Sequence, residues 1–162
     1  MGPFTKLKGQ DSVQVVVDGA VGFSWLIPTS VTTKAVQTSE LLQHHIFTPH
    51  GVSTSIVSDT DPQFTSKFWK KTLRTMGIEH IIALPGHNQT NGQAERKILE
   101  LKTALRNVVN LQTKRLTSLP EVASYSNAGH SDTINMSPYK AVYGRDYPVR
   151  HLPSLPFHCS CL

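Results

Sequence analysis

Two carboxylates invite a chemical reading, Asp59 and Glu95, with 35 residues between them. Asp59 follows Ser55-Ile56-Val57-Ser58, a short β-branched run that reads as a strand, and it precedes the turn Thr60-Asp61-Pro62. Glu95 falls in the first turn of the best helix in the chain. The interval holds one predicted helix, one strand and one polar loop, a layout in which two distant carboxylates can meet. Phosphoryl transfer on a nucleic-acid backbone benefits from two divalent cations about 3.5 to 4 Å apart. Such hard cations take oxygen ligands, hence carboxylates. Taken singly, turn capping explains an aspartate such as Asp59 better, and a favourable charge on a helix dipole explains Glu95. Spacing alone is weak evidence.

The elements that must position these residues follow from patterning. Val13 to Val17 is a β-branched run that stops at Asp18-Gly19, and Phe23 to Ile27 alternates bulky residues until Pro28, so the two read as a hairpin. Between Thr33 and Phe47 the apolar positions Ala35, Leu42 and Ile46, with Val36 and Leu41 beside them, recur at helical spacing until Pro49 and Gly51. Thr65 or Ser66 can cap a helix carrying Phe68, Trp69, Leu73 and Met76 on one side, with Gly77 as its stop. Residues 78–84 read as a strand ended by Pro85. The polar segment from Gly86 to Gly92 is a loop.

Behind that loop, Ala94, Ile98, Leu101, Leu105 and Val108 step by four and three, a core-facing stripe. Glu95 lies one position off it, above Leu99, Lys102 and Arg106 on the same side. Pro120 can open a short helix through Tyr125, and Ser137-Pro138 another that ends at Gly144. Residues 1–12 read as an N-terminal remnant, 13–147 as one core domain and 148–162 as a proline-containing tail.

Composition fits a single folded domain. The chain has 162 residues, 38% of them hydrophobic, and a formal charge of +5, which suits a polyanion partner without requiring one. No apolar run reaches the roughly 18 residues of a membrane span, and no signal peptide is seen, so the expected compartment is intracellular. Cys159 and Cys161, the two cysteines, are too sparse for zinc and too close for an easy mutual disulfide. His44, His45 and His50 read as solvated or core histidines rather than a metal site.

Four segments carry a family resemblance. SIVSDTDPQFTSKFWK at 55–70 and HNQTNGQAER at 87–96 resemble the two signature blocks of the integrase catalytic core of gypsy-class retrotransposons, relatives of retroviral integrases. VQVVVDGAVGFSWLIP at 13–28 is similar to the second and third strands of that core, and SPYKAVYGRDYP at 137–148 to its C-terminal helix. The resemblance implies an α/β, ribonuclease H-like mixed sheet of five strands flanked by helices. It implies DNA end trimming and strand transfer with magnesium or manganese, DNA as partner, a possible homodimer, nuclear action and no small-molecule cofactor. Asp59 and Glu95 match metal-binding, catalytic positions, whereas Asp61 matches a residue that is not a ligand. Gln89, Thr90, Asn91, Gly92 and Gln93 match the mobile loop before the catalytic helix. Arg96, Lys102 and Arg106 lie where that helix faces DNA, although for Lys102 and Arg106 a solvated face is an equal alternative.

Two departures bear on activity. The family's first catalytic aspartate sits on a strand upstream of the Val13 hairpin, and Gly2 stands in its place. Asp18 matches a position that does not ligate metal. Ile98 replaces a customary asparagine three residues after the glutamate. The expected outcome is impaired catalysis or a binding remnant without chemistry. With its central first strand short or missing, the sheet would also be marginal unless Phe4 to Leu7 pairs as a makeshift strand beside Pro3.

Overall fold

The computed structural model describes residues 9–83, 99, 101, 103 and 118–148. They belong to two compact units, one formed by Met1–Pro28 with Gln93–Leu162 and the other by Thr29–Gly92. The first unit opens with strands β1 (Ser12–Val17) and β2 (Ser24–Thr29), hydrogen-bonded to each other. A connection of so few residues admits only an antiparallel pair. Asp18 makes the turn: its N–H donates to the Phe23 carbonyl at 2.8 Å, and its Oδ1 accepts from the N–H groups of Ala20 at 2.8 Å and Val21 at 2.9 Å. One carboxylate oxygen thus holds the turn backbone, which explains why a valine strand stops there. β2 runs on through Pro28 to Thr29 instead of closing at the proline.

In the same unit, two further helices among the described residues follow β2, designated α5 (Leu119–Ala128) and α6 (Pro138–Tyr143). α5 exceeds the span expected from Pro120 to Tyr125 because its last turn is needed for burial. Asn127 is 4% exposed and meets Ser24, 1% exposed, from across the unit. Asn127 Oδ1 accepts from Ser24 N at 2.9 Å and from Ser24 Oγ at 3.0 Å, and its Nδ2 donates to the Ser24 carbonyl at 2.9 Å. Val13, Phe23, Ile27, Leu101, Leu119 and Val122 form the buried apolar core. α6 starts at an N-cap, Ser137 Oγ accepting from Lys140 N at 3.1 Å, and stops at Gly144, whose φ of 69° few other residues adopt.

The second unit places the candidate aspartate. Helix α1 (Ala35–Leu42) continues without a break into a π-turn (Gln43–Phe47) and then α2 (Thr48–His50). Pro49 accounts for the wide turn: it lacks an N–H, and in a regular helix its ring would strike the carbonyl four residues back. Here the N–H of Thr48 reaches the Gln43 carbonyl, five residues back, and its hydroxyl donates to the same oxygen at 2.8 Å. Strands β3 (Ser55–Ser58) and β4 (Glu79–Ile82) pair in parallel, Ser55 opposite Glu79 and Ser58 opposite Ile82. A parallel pair needs a long crossover. It is supplied by α3 (Pro62–Thr65) and α4 (Lys67–Thr75).

α4 is amphipathic, with Trp69 and Leu73 each 1% exposed and packed in the unit's core beside Leu42, Phe47 and Ile78. Ser66 caps it, its Oγ accepting from Trp69 N at 3.2 Å. Gly77 ends it at φ 71°, donating to the Arg74 carbonyl at 3.1 Å, while Ile78 N donates to the Leu73 carbonyl at 2.9 Å. These two bonds are the paired closure that favours glycine in this position. Phe68 departs from the expected buried side: it is 44% exposed, because one helical step from Trp69 turns it about 100° from the core.

Among the described strands, pairing is β1 with β2 and β3 with β4. The expected first strand and the makeshift pairing of Phe4 to Leu7 fall outside the described residues, as does the tail from 149 onward.

Candidate functional site

Asp59 stands immediately beyond the last residue of β3 and is exposed. Its direction is set by a chain of local bonds. Asp59 Oδ1 accepts from Asp61 N at 3.1 Å, and Asp61 Oδ1 accepts in turn from Gln63 N at 3.0 Å, capping α3. The Gln63 Oε1 atom accepts from Thr38 Oγ1 at 2.9 Å, and Thr38 is fully buried on α1. The turn after β3 is therefore fastened to a buried hydroxyl. That leaves the second oxygen of Asp59 without a hydrogen bond among the described residues. Asp61 Oδ1 in turn serves the start of α3.

On the neighbouring strand His80 faces the same end of β3. Its Nε2 lies 2.9 Å from Ser58 Oγ, and Ser58 Oγ is also 3.1 Å from the Asp59 carbonyl, to which it can donate. Burial, reinforced by the positive charge of Lys70, holds the His80 pKa below the usual histidine value of 6.5. The neutral ring is thereby favoured. Its edge also meets Trp69, with centroids 6.3 Å apart. The Ser58–His80 and Thr38–Gln63 contacts were not foreseen from sequence. Parallel register puts His80 opposite Ile56, two residues before Ser58, and only that register could have exposed the first of them.

Glu95, Gln89, Asn91, Gln93, Arg96, Lys102 and Arg106 lie outside the described residues, as do Thr90 and Gly92. Three described positions fall within the helix that the sequence pattern predicts behind Glu95. Leu99, Leu101 and Thr103 are helical, and Thr103 Oγ1 donates to the Leu99 carbonyl at 3.0 Å, one turn back. Leu101 is 0% exposed and Leu99 63%, so the expected stripe has its buried member inside and a residue from the Glu95 side outside.

An exposed carboxylate at a strand end, oriented by one backbone N–H and with an oxygen to spare, has the chemistry of a ligand for magnesium or manganese. Among the described residues no three His, Cys, Asp or Glu side chains gather into a metal-binding group. Asp18 uses Oδ1 to hold its own turn. Among the described residues no helix is long and apolar enough to cross a membrane.

No family model matches the chain. It is 30% identical over 147 residues to the Pro-Pol polyprotein of simian foamy virus type 3 (strain LK3), covering 90% of the chain and 13% of that polyprotein. It is 29% identical over 137 residues to the transposon Tf2-3 polyprotein of Schizosaccharomyces pombe, covering 83% of the chain and 10% of the relative. The chain thus spans only about a tenth to an eighth of these relatives' length. Among solved structures it is similar to the catalytic core domain of BIV integrase, with a TM-score of 0.65, 18% identity, and 80% and 84% of the two chains covered. It is also similar to the HTLV-2 integrase catalytic core in complex with magnesium, in trimeric form: TM-score 0.64, 17% identity, 85% and 89% covered. The chain is thus related in sequence to a segment of retroviral and retrotransposon polyproteins, and it has the ribonuclease H-like α/β fold of integrase catalytic cores.

Proposed function

We propose that the chain serves DNA integration as the core segment of a retrotransposon-type integrase, with Asp59 and Glu95 as its metal ligands. The observation that carries this reading is the placement of Asp59, exposed at the end of β3 with one carboxylate oxygen held by Asp61 and the other available. The similar HTLV-2 core was solved with magnesium, which supports a divalent ion as the cofactor. When bound, such an ion polarises phosphoryl oxygens and lowers the pKa of an attacking water. The chain's own residues orient and confine. Asp61 and Gln63 aim Asp59, and Thr38 anchors the turn. Gln89, Asn91 and Gln93 line the DNA approach, and Arg96, Lys102 and Arg106 neutralise backbone phosphates.

Action on chromosomal DNA puts the protein in the nucleus, working as a multimer of which the homodimer is the smallest form. The departure at Gly2 lowers turnover, because one ion is left short of a carboxylate. End-trimming and strand-transfer assays in manganese test this, with Asp59→Asn and Glu95→Gln as controls. Weak product that both substitutions abolish supports the reading. Salt-dependent DNA binding with no metal-dependent product, in wild type and variants alike, would favour a nucleic-acid-binding remnant.

A further inference from the structure

The outer face of α4 carries a charge pattern that the metal site does not use. Lys67, Lys70, Lys71 and Arg74 fall at spacings of three, four and seven along one face, all exposed, and α4 contains no acidic residue. They account for four of the five lysines and arginines between 29 and 83, the fifth being Lys34. None of the four is held in an ion pair among the described residues.

A merely solvated helix face ordinarily intersperses both signs. This one instead sets like charges against each other at 67/70, 67/71, 70/74 and 71/74, each at a spacing where side chains are neighbours and like charges repel. The helix keeps that repulsion because its opposite side is fixed in the core by Trp69 and Leu73. A polyanion laid along the stripe removes it. The four charges span about 10 Å of helix at a rise of about 1.5 Å per residue. Over that distance duplex DNA presents about six phosphate charges, at one per roughly 1.7 Å of axis.

We infer that the Lys67, Lys70, Lys71 and Arg74 face of α4 is a nucleic-acid docking surface that grips the phosphate backbone of a duplex without reading its sequence. It is separate in composition from the Asp59 and Glu95 chemistry and works without metal. Point charges on flexible stems suit phosphates, and nothing on the face offers the amide or planar fork pattern that reads base edges, Arg74 excepted.

The test is fluorescence anisotropy of the full chain with a labelled 20-base-pair duplex, in EDTA, across 50 to 200 mM salt. Four phosphate contacts contribute a slope of about −3.6 in log K against log salt, equivalent to roughly 100-fold in affinity over that range. Substituting Lys67→Gln, Lys70→Gln, Lys71→Gln and Arg74→Gln together is expected to remove about that much slope, since glutamine keeps helix propensity. Circular dichroism verifies that the helix persists. A charge-preserving set, Lys67→Arg, Lys70→Arg and Lys71→Arg, is expected to retain the slope. A second set, Arg96→Gln, Lys102→Gln and Arg106→Gln, is expected to leave the α4 share in place.

An unchanged slope in the glutamine set of a folded protein would overturn the inference, as would wild-type binding that is insensitive to salt. So would poly-glutamate competing as well as DNA per unit charge, which would reassign the face to acidic peptides. Loss of strand transfer alone, with the slope change intact, bears on the integration reading and not on this surface.

Discussion

Asp59 and Asp61 divide one turn between two jobs: the carboxylate of Asp59 accepts the N–H of Asp61 at 3.1 Å, while that of Asp61 accepts the N–H of Gln63 and starts a helix. Two aspartates two residues apart are thus chemically unequal. Asp61→Ala should cost about 1 kcal/mol of stability through the lost cap, whereas Asp61→Asn should cost almost nothing, because asparagine caps as well. Denaturant midpoints of the two variants check this. An equal loss in both would mean that the charge of Asp61, and not its hydrogen bond, holds the turn.

Asn127 is expected to be among the least tolerant polar residues. Asn127→Ala strips partners from the buried N–H, hydroxyl and carbonyl of Ser24 at once. Each stranded group costs about 1 to 3 kcal/mol, so a loss of about 3 kcal/mol is a conservative expectation. Ser24→Ala removes one hydroxyl and should cost about 1 kcal/mol. Urea unfolding of both variants gives the comparison.

Gly77→Ala isolates a backbone effect. Nothing lies within 4 Å of the added Cβ, yet φ is 71°, so the expected loss of about 1 kcal/mol comes from conformation and not from a clash. A thermal midpoint equal to wild type would show that the α4 terminus relaxes freely.

His80 predicts a pH dependence. With its folded pKa below 6.5, the unfolded chain binds more protons than the folded one between the two values, so stability rises with pH there. The contribution of the neutral ring is fully present above about 6.5 and is lost as pH falls through that value toward the folded pKa. An NMR titration of His80 should show a midpoint below 6.5, moved upward by Lys70→Gln. A midpoint at or above 6.5 would contradict the burial seen around the ring.

What sequence made legible were the features written in neighbouring residues. The valine run ending at Asp18, the Ser66 cap, the Gly77 stop and the Ser137-to-Gly144 helix all depend on contacts a few positions apart. Asn127 and Ser24 are 103 residues apart, and no local pattern marks an asparagine near a helix end as the partner of a strand. The π-turn was hidden for another reason: Pro49 announces an interruption, but the helix absorbs it by widening and continues. Phe68 was misplaced because two adjacent aromatics cannot both face the core, and Trp69 does. For the candidate site, Asp59 was legible from its strand and turn, while the bonds that aim it run through Thr38 and Gln63 on separate helices.

The account rests on Asp59 and Glu95 sharing a divalent ion, and manganese binding measures that without requiring turnover. Titrating manganese into the full chain by electron paramagnetic resonance should reveal a site that Asp59→Asn and Glu95→Gln each abolish and that Asp61→Asn leaves intact. Manganese bound equally by wild type and by both of the first two variants would contradict it.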